Sequence, residues 1–398
     1  ISRNMHTALQ LMKEKKLTPS KIITEIFSID SAIQSYSDLD NSTKLRIGSV
    51  IKYDENQSNT NSKIISVKKM EPNPNKINCG LIGGGIYATS TALPILGEIK
   101  DITLDSISTA SGLNSKSLSE KYNINNLYSD YHDMLENKST DLIFNMTRNS
   151  LHAKIVEESL LKNKNVFVEK PLALNFEDLD KIEEAWRKSD KILMVGFNRR
   201  YAPFTEEIKT FFKNRISPMI AHYRINAENI PHDHWVYDKK EGGGRIISEA
   251  CHFIDYLTYV VGSKPIQVFT SSITAQKSQD MVDNFTINLT FEDGSTGSII
   301  YTSKGNKKLS KERAEFFADD KSVVLDNFKN LKLISNVKDE TKKNMLSQDK
   351  GHKNEFKTLI ENIKMGNRME DEFLLALHSS RATIAAQKSM ISKLPEKV

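Results

Sequence analysis

Cysteine is nearly missing from this chain. Cys79 and Cys251 are the only two among 398 residues. They are too few and too far apart for a disulfide framework, which excludes a small stapled secreted scaffold and points to a reducing cytoplasm. Long apolar runs are lacking as well, and nothing approaches the ~20 residues that a membrane-spanning helix needs. An excess of one charge is also absent: the formal net charge is +5, and most of that surplus lies before residue 77. Such a balance gives no support to a nucleic-acid partner. What the chain does have is 38% hydrophobic residues and enough length for two domains with their own cores.

The first 54 residues read as an amphipathic helix over 3–16, a strand from Ile22, a helix from Ser31 to Leu39 and a second strand from Leu45 to Tyr53. That is too little to close a core alone. Residues 55–75 are polar, carry Asn-Pro turns and read as a linker. From residue 76 short apolar strands alternate with helices, the pattern of a doubly wound parallel sheet running to about residue 200. Strand-like stretches at 218–227, 265–273, 283–291, 296–303, 313–318 and 321–326 follow with few helices between them. Residues 201–398 are therefore expected to be an α+β domain with an open, mostly antiparallel sheet.

The first turn after the strand at 77–82 is Gly83-Gly84-Gly85-Ile86-Tyr87-Ala88. Gly83 permits the tight turn, Gly85 lets a pyrophosphate approach the backbone, and Ala88 allows close helix–strand packing, while Ile86 opens a helix whose N–H groups face the phosphates. A dinucleotide site is expected there. At the end of the second strand, where a ribose-binding acid usually stands, the chain has Thr109-Ala110-Ser111-Gly112, with Lys116 one turn on. Ser111 and Lys116 suit a 2′-phosphate, so NADP is expected ahead of NAD.

Ligands of open α/β sheets bind outside the carboxyl ends of the strands. Those ends carry Thr147, Arg148 and His152, then Glu169 and Lys170, then Asn198 and Arg199. Each residue has an ordinary explanation as surface charge or helix start. Together they define one polar cleft, with the first five read as cofactor neighbours and the last two as substrate neighbours.

The stretches "GLIGGGIYA", "HAKIVEESLLKNKNVFVEKPLA", "MVGFNRRYAP" and "GGGRIISEACHFID" resemble the glucose–fructose oxidoreductase, inositol dehydrogenase and MocA family, over nearly everything from Ile77 onward. "YRINAENIPHDHWVYD" resembles the second half of two-part oxidoreductases of bacterial polysaccharide gene clusters, in which an alcohol-dehydrogenase-like half comes first. In that light "ITEIFSIDSAIQSYSDL" resembles the tail of a medium-chain alcohol dehydrogenase. Residues 1–54 would then be the remnant of a missing N-terminal domain.

The resemblance implies an NAD(P)-dependent dehydrogenase or reductase acting on a secondary hydroxyl of a sugar, cyclitol or nucleotide sugar, built as a homo-oligomer on its exposed sheet face. It places Lys170 and His252 beside the reacting hydroxyl, with His252 as general acid/base, a role suited to an imidazole near working pH. Many family members carry an aspartate where this chain has Ser248, and Glu249 is the candidate to orient His252 instead. Among the remaining substrate candidates, His234 and Trp235 lie in the "HDHW" loop, and Arg199 and Arg245 suit a carboxylate or a diphosphate. His232 and His234 with Cys251 or His252 match no standard zinc spacing, so no metal is expected. Two rivals are a nicotinamide-dependent glycosidase of the same fold and a non-catalytic dinucleotide and sugar sensor or scaffold.

Overall fold

The computed structural model describes residues 2–28, 31, 47–52, 64–66, 75–231, 233–273, 282–344 and 348–398. Residues 1–62 and 63–398 form two compact units. In the first, helix α1 (Ser2–Lys13) precedes strands β1 (Ile23–Ser28) and β2 (Gly48–Lys52), which pair in parallel. A parallel pair needs a crossover of a dozen or more residues, and the stretch between the strands is long enough to supply one. The helix expected over Ser31–Leu39 falls, beyond Ser31, outside the described residues.

The second unit begins with a departure from expectation. Ile64–Ser66, inside the presumed linker 55–75, forms strand β3 and pairs antiparallel with β6 (Asn126–Tyr128). Adjacent isoleucines give this short run the β propensity that its polar surroundings hide. The other sheet strands are β4 (Ile77–Ile82), β5 (Ile102–Ser108), β7 (Leu142–Asn145), β8 (Asn165–Val168) and β9 (Leu193–Val195). The sheet order is β3-β6-β5-β4-β7-β8-β9, parallel throughout except for β3. Every residue of β4 is buried, as befits a central strand covered on both faces. Strand order reverses between β4 and β7, which places the crevice of this doubly wound fold at their carboxyl ends.

The second sheet runs β17-β16-β15-β14-β10-β13-β12-β11-β18. Its strands are β10 (Ile220–Asn226), β11 (Pro265–Ser272), β12 (Phe285–Phe291), β13 (Thr296–Thr302), β14 (Glu312–Ala318), β15 (Lys321–Asp326), β16 (Asn330–Ser335), β17 (Lys338–Lys343) and β18 (Glu396–Lys397). Only β10 and β13 pair in parallel. Burial alternates along β12 and β14, so one face packs on the core and the other is open.

Helices cover both sheets. After the glycine turn a wide-turn segment, Ala88–Ala92, leads into α2 (Leu93–Leu96), followed by α3 (Gly112–Tyr122), α4 (Tyr131–Glu136), α5 (Asn149–Leu161) and α6 (Phe176–Lys188). Then come α7 (Pro203–Phe211), α8 (Cys251–Val261), α9 (His352–Met365) and α10 (Glu370–Ser392). The change of sheet falls near the expected 200/201 boundary, but the packing does not stop there. Phe356, Leu359 and Ile360 of α9 are fully buried in one cluster with Phe144, Phe167 and Leu142 of the parallel sheet. The last 50 residues therefore serve both halves. Among the described residues no helix is long and apolar enough to cross a membrane.

Candidate active site

The glycine turn shows what each position needs. Gly83 adopts φ +96°, and a Cβ there would lie 2.4 Å from the Met146 carbonyl oxygen. Gly84 is packed against Thr109 and Asn114, and the Asn114 side chain donates to the Gly84 carbonyl at 2.9 Å. A Cβ on Gly85, by contrast, would meet nothing within 4 Å. That open space lies before the helix start, where Ile86 is exposed and Ala88 is buried. The first N–H groups of a helix have no partner within it, so Gly83, Gly85, Ile86 and Ala88 fit the pyrophosphate of a dinucleotide. At the end of β5, Ser111 caps α3 without using its hydroxyl, while Thr109 spends its own on the Ser111 carbonyl and Ser115. Lys116 is exposed one turn along.

At the carboxyl ends of β7, β8 and β9 the expected residues divide into those that reach the cleft and those that build it. Thr147 turns its hydroxyl onto Asn145 at 2.8 Å. Arg148 is exposed and lies 5.4 Å from the Trp235 ring, with Glu241 at 3.4 Å, so an expected cofactor residue and an expected substrate residue stack on each other. His152 is buried, and its two ring nitrogens face the carbonyls of Pro171 at 2.7 Å and Thr147 at 3.2 Å. Burial pushes its pKa down to about 4. Neutral, it has a single N–H and donates to one of these carbonyls, which ties it to the loops at Thr147 and Pro171.

Glu169 is pushed up to about 7 by burial, against the pull of Lys170 and the Tyr87 hydroxyl. Behind it lies Glu355 of α9, fully buried, with both carboxyl oxygens unpartnered and its pKa raised by burial and by Glu169. Lys170 precedes a cis bond to Pro171 and donates to the Ser248 carbonyl at 2.8 Å. This hydrogen bond brings the end of β8 to the helical run that carries His252.

That run begins with wide turns at Ile246–Ala250 and continues as α8. The His252 Nδ1 atom is buried and has no hydrogen-bond partner. Burial holds its imidazole well below the usual histidine range, and the positive charges of Arg199, Lys170, His352 and Lys350 push in the same direction. Glu249 does not orient it. Its carboxylate sits 2.9 Å from Arg245 Nε and accepts from the Tyr301 hydroxyl at 2.5 Å. The wide turns explain the miss, since they displace Glu249 from the α-helical spacing to His252. Arg245, expected as a substrate clamp, is likewise consumed by Glu249 and by the Glu228 carbonyl at 2.8 Å. Ser248 donates to the Gly242 carbonyl at 2.6 Å and accepts from Asn149 at 2.9 Å, so it is bound to the neighbouring loop and helix.

Two further expectations change. Arg199 does not lie free for a ligand: Nε and Nη2 bind both oxygens of Glu312, at 3.0 and 2.8 Å. Asn198 donates to the Lys350 carbonyl at 2.8 Å and so anchors the segment before α9. His234 caps the short turn Trp235–Tyr237 by accepting from the Val236 N–H at 3.3 Å. His232 lies outside the described residues.

Sequence reasoning missed Glu312, Lys350, His352, Tyr87 and Glu355. Burial alone would raise the Glu312 carboxyl, yet Arg199 and Lys350 hold it well below the carboxylate range. Lys350 donates to Glu312 at 2.6 Å, and the Tyr223 hydroxyl donates to Glu312 at 2.7 Å. His352 lies 6.2 Å from Tyr87, ring to ring, and burial takes its pKa down to about 4. The only sequence signal was the tripeptide Lys350-Gly351-His352 opening a helix. Gly351 adopts φ +87° with the Asn198 carbonyl 2.4 Å from where a Cβ would stand.

A doubly wound sheet with a glycine turn at its switch point, a lysine at its carboxyl edge bonded to the run that carries a buried histidine, and a second, mostly antiparallel sheet define a dinucleotide-dependent oxidoreductase fold. Residues 77–197 match the oxidoreductase family with an NAD-binding Rossmann fold, and residues 216–324 match the GFO/IDH/MocA C-terminal domain. The chain belongs to the Gfo/Idh/MocA family. It is 27% identical over 306 residues to the myo-inositol 2-dehydrogenase of Thermotoga maritima, covering 72% of this chain and 88% of that one. It shares its fold with levoglucosan dehydrogenase solved with NADH and levoglucosan, at a TM-score of 0.72 and 19% identity over 81% of this chain and 99% of that one. The aldose-aldose oxidoreductase of Caulobacter crescentus solved with glycerol gives 0.69 and 18% over 81% and 100%.

Proposed function

We propose that this protein interconverts a secondary hydroxyl and a ketone on a sugar, cyclitol or nucleotide sugar, using NAD or NADP. The dinucleotide, when bound at Gly83, Gly85 and Ile86, supplies the hydride-accepting or hydride-donating ring. The observation that carries this reading is the Lys170–Ser248 hydrogen bond, which draws the β8 lysine to the His252 helix at the sheet's carboxyl edge. His252, held neutral by burial, takes the hydroxyl proton on its imidazole when the alcohol is oxidised. Lys170 donates to the same oxygen and stabilises the charge that develops on it. The full-length protein assayed with both cofactors against myo-inositol, levoglucosan and nucleotide sugars, by absorbance of the reduced cofactor, tests this. Turnover of at least one of them is expected. Turnover of none, with cofactor bound, favours a sensor or scaffold.

The unused Ser111 hydroxyl and exposed Lys116 support NADP over NAD. Lys116→Ala is expected to weaken NADP roughly tenfold, as loss of one charge-assisted contact does, and to leave NAD unchanged in a fluorescence titration. Ile220, Ile300 and Phe317, exposed on the open face of the second sheet, support assembly into a homo-oligomer.

A further inference from the structure

The segment before α9 brings more positive charge into the cleft than the protein itself balances. Arg199 and Lys350 share one carboxylate, that of Glu312, and all three side chains are largely withdrawn from solvent, at 10%, 17% and 1% exposure. Two cations on one carboxylate leave one charge over. Lys170, which donates to the Ser248 carbonyl, has Glu169 beside it, so the surplus belongs to the Arg199–Lys350–Glu312 group. Glu312 takes Nε and Nη2 of Arg199 and leaves Nη1 outside the pair. The buried, unpartnered Nδ1 of His252 lies within the field of Arg199, Lys170 and Lys350. Uncompensated charge withdrawn from water is costly, and a bound counter-charge removes that cost. The neighbouring carboxylates are engaged elsewhere: Glu312 serves two cations and a tyrosine, Glu249 is taken by Arg245, and Glu169 faces Lys170.

Resting on the hydride-transfer reading, we propose that Lys350, seated on the Arg199–Glu312 pair, forms an anion subsite next to His252, and that the substrate is a sugar carrying a carboxylate, as a uronic acid does. The subsite is built by the chain's return at Lys350-Gly351-His352. Asn198 clamps that return through the Lys350 carbonyl, and Gly351 permits it by approaching the Asn198 backbone more closely than any side chain allows. A carboxylate there is fixed by charge-assisted hydrogen bonds, which orient the ring as well as hold it. The pyrophosphate of the cofactor is the other possible source of the same negative charge.

Calorimetric titration of the full-length protein loaded with NAD or NADP, using glucuronate and glucose as probes, separates these. Glucuronate is expected to bind at least tenfold tighter than glucose. Lys350→Met is expected to remove that difference, Lys350→Arg to keep most of it, and cofactor affinity to move less than twofold. Equal affinity for the two sugars, or no binding of glucuronate, overturns the subsite and leaves hydride transfer standing. A Lys350→Met variant that weakens the cofactor instead assigns the charge to the pyrophosphate and also overturns it. Failure of the wild-type protein to bind either cofactor would count against the hydride-transfer reading itself.

Discussion

Lys170 and His252 stand 82 positions apart in the chain, and the Ser248 carbonyl is what ties the lysine to the histidine's helix. Lys170→Met is expected to retain cofactor binding and to slow turnover by roughly 10²–10⁴-fold, the contribution of a positioned proton-transfer group. His252→Asn should behave alike, and the double variant should lose far less than the product of the two, because residues acting as one unit are non-additive. Steady-state rates with cofactor affinity measured separately check this, and near-normal turnover in Lys170→Met would remove the assignment. His152 makes a prediction of another kind. Its pKa falls from 6.5 to about 4 on folding, so between those values the unfolded chain binds more protons than the folded one. Stability is then fully present above pH 6.5 and is lost as pH drops toward 4, by on the order of 3 kcal/mol from this group. Urea unfolding measured from pH 7 to 4.5 should show a shallower acid limb in His152→Asn than in the wild-type protein.

Among the elements, the short turn Asn198–Tyr201 is fastened to α8 by Arg200 and Asp255, joined at 2.8 and 2.5 Å with both side chains 2% exposed. Asp255→Asn leaves a buried guanidinium without its counter-charge and should cost about 3–5 kcal/mol in urea unfolding. Adding Arg200→Met should recover part of the loss, whereas additive losses would refute a direct pair. This turn also shows where sequence reading reached its limit. The glycine turn and the parallel strands were legible, because local spacing and family resemblance carry them. The fate of Arg199, Arg200, Arg245 and Glu249 was not. A charged residue at a strand end looks the same whether it faces a ligand or a carboxylate such as Glu312, 113 positions away. The strand β17 escaped notice for a related reason, since Lys338–Lys343 is almost wholly charged and forms an edge strand by pairing rather than by apolar pattern.

At the scale of the whole molecule, the division after residue 62 predicts that a chain beginning at Lys63 folds and binds cofactor, because β3 is kept and the glycine turn lies beyond it. A chain beginning at Asn75 loses that edge strand and should melt lower. Thermal unfolding of both with and without NADP tests this, since a ligand that binds only the native form raises the melting temperature. An insoluble Lys63 chain would show that the first unit is required. The return of α9 reaches further than architecture. Phe356 lies 5.0 Å from Phe167 and 5.8 Å from Phe144, ring to ring, inside the nucleotide-binding half. During synthesis that half emerges from the ribosome with a hole in its core. It must wait for about 160 more residues before the hole is filled, a delay of roughly 10–30 s at ordinary translation speeds. Through that interval the nascent chain exposes the aromatic surface that Phe356 later covers, and surface of that kind is prone to aggregate until it is covered.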